Sequence, residues 1–398
     1  MNIYQLEAWN FRSFKEIEWK PSNLNVVIGP NGSGKSNLLK LLEFIQSFAS
    51  GRISDYVQES GGSESILWDG EGPGLRFHIL STGIGNQDSE QTDGARYEVK
   101  LQSARSEFVV KTEELAGFVQ GKSNDSYGPF TPIYMERIDR SRCRVRNLDD
   151  ELEEMGLDLL SRNESALSLL NVYSQKFFAR RFKRHLDEFA IYQDIETGSE
   201  SSIRQARVTR HEKVIDSNGQ NLINVLHTLY SESREYRDAI NDGMKAAFGN
   251  NFDEIRFPPV SSQRIQMNIQ WKSLKKSIPA TDLSDGTLRY LFLLAVLSDP
   301  NPPSLIAIDE PETGLHPKML PIVAEYAAQA SQKTQVIFTT HSAEFLTAFG
   351  TVKPAITVAS LENGETKLNT ISDDSLNYWL QDYTLGTLYR SGQLEGMQ

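Results

Sequence analysis

The chain has 398 residues, of which 39% are hydrophobic and 24% charged, a composition that fits two or three globular domains or one large head with insertions. A net charge of −12 argues against a generic nucleic-acid coat, and a single cysteine, Cys143, excludes an internal disulfide framework and a paired-cysteine metal site. The apolar run at 291–297 is too short to span a bilayer, and Glu7, Arg12 and Lys15 interrupt the first residues. Neither a membrane segment nor a signal peptide is expected, and the chain reads as cytoplasmic.

In chain order, residues 3–11 and 17–20 read as strands. Residues 24–28 form a short apolar run ending in glycine, as a buried strand before a turn does. Leu38, Leu39, Leu41, Leu42 and Ile45 recur at helical spacing, predicting a helix over 36–48. Residues 50–130 are rich in Gly, Ser, Asp and Gln, with strand candidates at 74–80 and 96–101, and predict an antiparallel β lobe with a long loop at 81–94. Residues 147–190 and 219–248 read as helical, 197–217 as irregular, and 255–257 and 265–271 as strands. From residue 287 the pattern runs helix, strand, helix, strand, helix, which implies an α/β fold with a mostly parallel sheet. No heptad pattern is sustained, so no long coiled-coil arm is expected.

Four motifs carry chemistry. Gly29-Pro30-Asn31-Gly32-Ser33-Gly34-Lys35-Ser36 fits the Walker A pattern at every fixed position, between a strand and a helix. Its glycines let backbone N–H groups turn inward onto phosphate oxygens, and the helix N-terminus adds positive potential. Lys35 would reach the β- and γ-phosphates of ATP, and Ser36 would ligate Mg²⁺. The apolar strand 305–308 delivers two adjacent carboxylates, Asp309 and Glu310. Strand side chains alternate, so the two take different tasks: Asp309 holds Mg²⁺ and Glu310 activates water. Leu283-Ser284-Asp285-Gly286-Thr287-Leu288-Arg289 opens a helix that leads into this strand, and Ser284 or Asp285 is equally a plain helix N-cap. Thr339-Thr340-His341-Ser342 ends the next strand, and Pro311 to Pro317 lies between.

Together with Asn10-Phe11-Arg12-Ser13-Phe14, these motifs resemble the RecF/SMC/OLD branch of ABC ATPases, and more closely its stand-alone bacterial AAA-type members. The likeness is strong over the first fifty residues or so and good over 160–350. It implies an ABC-type P-loop ATPase head with a mixed sheet, an antiparallel β lobe and a helical lobe. Residues 1–160 would hold Walker A and the β lobe, 161–280 the helical lobe with connecting strands, and 281–398 the remaining motifs. The sequence around Ser284 resembles an LSGGQ-type signature in the degenerate form LSDGT, whose Ser284 and Gly286 would bind the γ-phosphate held by an opposite subunit. The resemblance makes His341 the γ-phosphate-sensing switch, places Glu312 and His316 in a loop that crosses a dimer interface, and puts Arg12 near the phosphates. Arg12 reads equally as a surface ion-pair partner. Relatives carry a glutamine at the lobe junction. The stretch 163–169 taken to match it has none, with Leu169 near its place and Gln175 out of register, which implies slow turnover or another group in that role.

Arg140, Arg142, Arg144 and Arg146 would share one face of a strand, facing DNA or pairing with the acidic run 149–154. Lys176, Arg180 and Arg184 form a helical stripe open to nucleic acid, a partner or solvent. The expected protein is an ATP- and Mg²⁺-dependent homodimeric ATPase, coupled to DNA or to a separately encoded nuclease or toxin effector, in phage defence or DNA repair. A nucleotide-gated scaffold with little turnover is the alternative.

Overall fold

The computed structural model describes residues 1–70, 72–83, 94–118, 132–139, 142–147, 149–155, 161–170, 177–261 and 263–396. The elements in chain order are β1 (Asn2–Phe11), β2 (Phe14–Trp19), β3 (Leu24–Ile28), α1 (Lys35–Ala49), α2 (Ile53–Glu59), β4 (Gly74–Thr82), β5 (Gly94–Ala104) and β6 (Glu107–Phe118). There follow β7 (Ile133–Arg137), β8 (Cys143–Arg146), β9 (Leu152–Glu154), α3 (Phe177–Asp187), β10 (Phe189–Tyr192), β11 (Arg207–Val208), α4 (Leu222–Glu232), α5 (Arg234–Phe248) and β12 (Phe252–Arg256). Then come β13 (Pro259–Ser261), β14 (Arg264–Ile265), β15 (Asn268–Trp271), β16 (Ile278–Pro279), α6 (Asp285–Leu297), β17 (Leu305–Asp309), α7 (Leu320–Ala330) and β18 (Gln335–Thr340). The chain closes with α8 (Ala343–Ala348), β19 (Ala355–Glu362), β20 (Glu365–Thr370), α9 (Asp373–Trp379), α10 (Leu385–Arg390) and α11 (Gln393–Gly396). Among the described residues no helix is long and apolar enough to cross a membrane.

The chain divides into two compact units, the first built from residues 1–22, 28–189 and 357–370. Its frame is an eight-stranded sheet in the order β2-β1-β4-β5-β6-β7-β8-β9, antiparallel throughout. The helical spacing of Leu38, Leu41, Leu42 and Ile45 buries one face of α1, with Phe44 and Phe48 beside them. Phe44 meets Phe11, Tyr56, Phe77 and Phe108 at ring distances of 5.5–6.3 Å, so one aromatic residue joins helix and sheet. Glu113 is buried, and its carboxylate accepts from Tyr97 Oη (2.7 Å), Ser165 Oγ (2.6 Å) and the amides of Ala166 and Leu167. Such saturation is what a buried carboxylate requires. The hairpin β19–β20 also belongs here, with Trp19 Nε1 donating to Thr357 Oγ1 at 3.0 Å.

The second unit comprises residues 23–27, 190–356 and 371–398. Its strands run in the order β10-β17-β18-β3. β17 and β18 are parallel, with Asp309 opposite Thr339, as the alternation of helix and strand predicts. α6 is buried along most of its length, and its Tyr290 Oη donates to Gly243 O of α5 (2.6 Å). Ser233 separates α4 from α5 as an N-cap, accepting from Tyr236 N. Two small sheets, β11-β14-β13 and β12-β15-β16, use the strands expected near 255–271.

The helical reading of 147–190 is corrected. Leu152–Glu154 is an edge strand whose Glu154 lies across from Arg144, and only Phe177–Asp187 and a 3₁₀ turn with its flank are helical among the described residues. The acidic run lacks the apolar spacing of a helix. The loop expected at 81–94 lies mostly outside the described residues.

Candidate functional site

Within the first unit, Ile28 leads into a loop that turns at Gly29, Gly32 and Gly34, all with positive φ. Gly34 stands just before α1 with φ 95°, and a Cβ there would fall 2.2 Å from Thr366 Oγ1 and 2.7 Å from Ser13 Oγ, so only glycine fits. Lys35 is almost fully buried and donates from Nζ to Gly29 O (2.8 Å) and Pro30 O (3.0 Å), which bends the loop around its own ammonium. Ser33 Oγ is buried and has no partner among the described residues. A phosphate oxygen is the acceptor that such a hydroxyl, an ammonium and the loop amides can share. Ser36 follows Lys35 in the first turn of α1, and Asn31 and Gly32 stand in the loop before it.

This loop is braced by residues that the motif pattern does not contain. Ser13 Oγ accepts from Asn37 Nδ2 and from Thr366 Oγ1, each at 2.7 Å. Thr366 Oγ1 also lies 2.9 Å from Ser33 O, and Thr366 N donates to Ser13 O. The turn between β1 and β2 therefore clasps both α1 and the hairpin β19–β20. Arg12, with φ 48°, turns its guanidinium to Ser60 Oγ (3.4 Å) and beside Tyr56, and its Nε is buried without a partner. Among the described residues the guanidinium meets Ser60, Tyr56 and the Phe11 ring, all outside the loop.

In the second unit, β17 ends at Asp309, whose carboxylate accepts from Thr339 Oγ1 on the parallel neighbour β18. Glu310 follows with φ 45°, a conformation that strains a non-glycine residue by about 1–3 kcal/mol. Its amide is held by Thr339 O at 3.0 Å. This bend carries Glu310 Oε1 to 2.8 Å from His341 Nδ1, with both side chains partly open to solvent. Glu312 accepts from Thr340 Oγ1, and burial pushes its carboxyl above the usual range. His316 is exposed and accepts from Lys318 N as a cap.

Ser284 is the N-cap of α6, accepting from Thr287 N at 3.2 Å. The N-cap reading of that residue therefore holds in the structure. Gly286 packs on the loop after β17, where a Cβ would lie 2.5 Å from Gly314 O. Arg204, from the irregular stretch 197–217, donates to Thr197 O and Leu283 O at 2.6 Å each and pairs with Asp285. No motif signals Arg204, because its partners are mostly backbone carbonyls remote in sequence.

The stretch 163–169 does not lie by the loop at Gly29–Ser36. Asn163 Nδ2 donates to Ser54 Oγ (2.9 Å), and Ser168 faces Gly51, both beyond the C-terminal end of α1. Fifteen helical residues separate that end from the N-terminus by about 22 Å. The missing glutamine, with Leu169 near its place, therefore lies at the far end of α1 from the loop. Gln175 and Lys176 lie outside the described residues. Another glutamine, Gln193, stands in the second unit. It directly follows β10, the strand next to β17. Arg289 of α6 donates to Ile195 O (3.1 Å) and lies 3.6 Å from where a Cβ of Gly314 would be, so the loops after β10 and β17 meet at one side chain. The short apolar run 189–192 ending at a polar residue was the available signal.

The arginine patches are largely committed. Arg142 pairs with Asp139, Arg144 with Glu136, and Arg146 donates to Ile133 O and Asp150 O, so the acids preceding them serve more than the run that follows. Arg140 lies outside the described residues. Arg184 pairs with Glu188 one turn away. Among the described residues no group of three or more His, Cys, Asp or Glu could hold a metal. Each unit offers an oxygen donor of the kind Mg²⁺ takes, Ser36 in the first and Asp309 in the second.

The family model described as “AAA domain, putative AbiEii toxin, Type IV TA system” matches residues 24–347. The chain is 21% identical over 361 residues to an “ATP/GTP phosphatase” of Helicobacter pylori, covering 86% of each. It is 32% identical over 81 residues to the DNA replication and repair protein RecF of Clostridium kluyveri, a match spanning 20% of this chain and 21% of RecF. Among solved structures, the SMC head bound to the C-winged helix domain of ScpA is similar in fold, with a TM-score of 0.57 at 14% identity, over 95% of this chain and 100% of that one.

Proposed function

Because the chain belongs to the family described as “AAA domain, putative AbiEii toxin, Type IV TA system”, an ATPase of the RecF/SMC type, we propose that its heads pair on ATP and that pairing controls a partner effector. The single observation that carries the hydrolytic reading is the Glu310–His341 hydrogen bond of 2.8 Å, beside a carboxylate, Asp309, that is held by a different partner. Two adjacent acids are thus given two tasks.

Lys35, Ser33 and the amides of Asn31, Gly32 and Gly34 bind the phosphates, and Ser36 and Asp309 would hold Mg²⁺. Mg²⁺ held there would supply charge neutralisation on the phosphate oxygens. Glu310 orients the attacking water and accepts its proton, and His341 holds that carboxylate in place. Gln193 would take the contact to water and metal that the resemblance assigns to a glutamine. Arg12 reaches phosphate by leaving Ser60. Ser284 and Gly286 meet the γ-phosphate held by a second copy.

The family description names a toxin and a type IV toxin–antitoxin system, and we read the setting as phage defence with a separately encoded nuclease or toxin. The likeness to RecF supports DNA repair and direct DNA contact instead. The partner reading is favoured because Arg142, Arg144, Arg146 and Arg184 are engaged within the chain. Sizing the Glu310→Gln protein with and without ATP tests pairing, and phosphate release with and without duplex DNA separates the two settings. A Glu310→Gln protein that turns over ATP at the parent rate removes Glu310 from its role.

A further inference from the structure

The signature turn contains a carboxylate where an LSGGQ-type sequence has a glycine. Asp285 stands between Ser284 and Gly286, the two residues assigned to the γ-phosphate of a second copy, and its side chain is 64% exposed. A carboxylate at that point opposes the approach of a polyphosphate. Arg204 lies under the same turn with its side chain only 8% exposed and pairs through Nη2 with Asp285 Oδ1. Its other donors are committed to Thr197 O (2.6 Å), Leu283 O (2.6 Å) and Ala280 O (3.2 Å), so the guanidinium is fixed. A planar fork with five N–H groups suits one acid and several carbonyls at once.

We propose that Arg204 is a positioning residue that cancels the charge Asp285 adds to the signature, so that the turn can receive the γ-phosphate of an opposite head. The inference rests on the reading that heads pair across ATP. Arg204 touches no nucleotide and acts through Asp285 and the carbonyls of residues 280–283. The degenerate LSDGT signature and a buried arginine eighty or so residues earlier then form one device.

The test uses the full chain carrying Glu310→Gln, with Mg²⁺ and ATP, and reads the ATP concentration at half-maximal dimer by light scattering. Adding Arg204→Gln, which keeps donors for the carbonyls and removes the charge, raises that midpoint about tenfold. Adding Asp285→Gly to this variant restores the midpoint to within about threefold of the parent, a rescue that a purely structural role of Arg204 does not produce. Arg204→Lys falls between the parent and Arg204→Gln. Should Arg204→Gln not fold, Asp285→Gly alone carries the test: the retained guanidinium lowers the midpoint, and a raised one overturns the proposal. An unchanged midpoint in folded Arg204→Gln, or a defect that Asp285→Gly leaves in place, also overturns it. A Glu310→Gln parent that stays monomeric in ATP instead overturns the pairing reading, and this inference with it.

Discussion

His341 Nδ1 lies 2.8 Å from Glu310 Oε1, across the C-terminal ends of two parallel strands. The contact exists because Glu310 adopts φ 45° directly after Asp309, which breaks strand alternation at the point where the second carboxylate is needed. Replacing His341 by Ala frees that carboxylate. Steady-state phosphate release should fall about a hundredfold, while binding of a fluorescent ATP analogue stays within about twofold. Turnover within threefold of the parent would show that the hydrogen bond is incidental.

Lys35 bends the phosphate loop by donating to Gly29 O and Pro30 O. Lys35→Ala removes the ammonium and its charge-assisted bonds, so ATP affinity should fall roughly a hundredfold, about 2–3 kcal/mol. Isothermal titration measures it, and an unaltered dissociation constant would be incompatible with the assigned role.

Ser13 ties Asn37 of α1 to Thr366 of β20. Ser13→Ala should lower stability by about 1–2 kcal/mol and weaken ATP binding about fivefold. Thr366→Val should do the same, and the double variant should cost less than the sum, because both remove one network. Additive losses in denaturant titrations would mean that the two hydroxyls act separately.

Gly286 has no room for a side chain, since a Cβ would sit 2.5 Å from Gly314 O. Gly286→Ala must push α6 away from the loop after β17. We expect a stability loss of about 1–3 kcal/mol and a turnover at least tenfold lower, with nucleotide binding by the monomer retained. Calorimetry and phosphate release together check this, and normal turnover would release the glycine from its role.

His185 is fully buried, and burial lowers its pKa from 6.5 to about 3, with the N-terminal ammonium and Arg181 adding to the shift. Its folded value is depressed, so its neutral form contributes full stability above pH 6.5 and loses it as pH falls toward 3. By about pH 4.5 the loss is on the order of 2 kcal/mol, because the unfolded chain takes up a proton that the folded chain refuses. His185→Leu should flatten the dependence of urea midpoint on pH in that window. A slope as steep as that of the parent would assign the acid sensitivity to other groups.

Sequence alone determined the local chemistry. Gly29–Ser36 announces a phosphate loop because backbone wrapping demands glycines at fixed spacing, and 305–310 announces two acids at a strand end because apolar runs bury and carboxylates do not. The alternation after residue 287 determined the parallel pair β17–β18, since such strands need a crossover helix. Other features arise from contacts that folding makes between residues far apart in the chain. The stretch 163–169 had the expected position in sequence, yet it packs beyond the far end of α1. Thr366 reaches Ser13 across 353 residues, and Arg204 reaches Asp285 across 81. Neither separation leaves a periodic or motif-like trace, because a hydrogen bond made after folding constrains geometry and not spacing. Glu310 shows both levels at once: its identity was legible beside Asp309, and its reach to His341 came only from the bend that folding imposes.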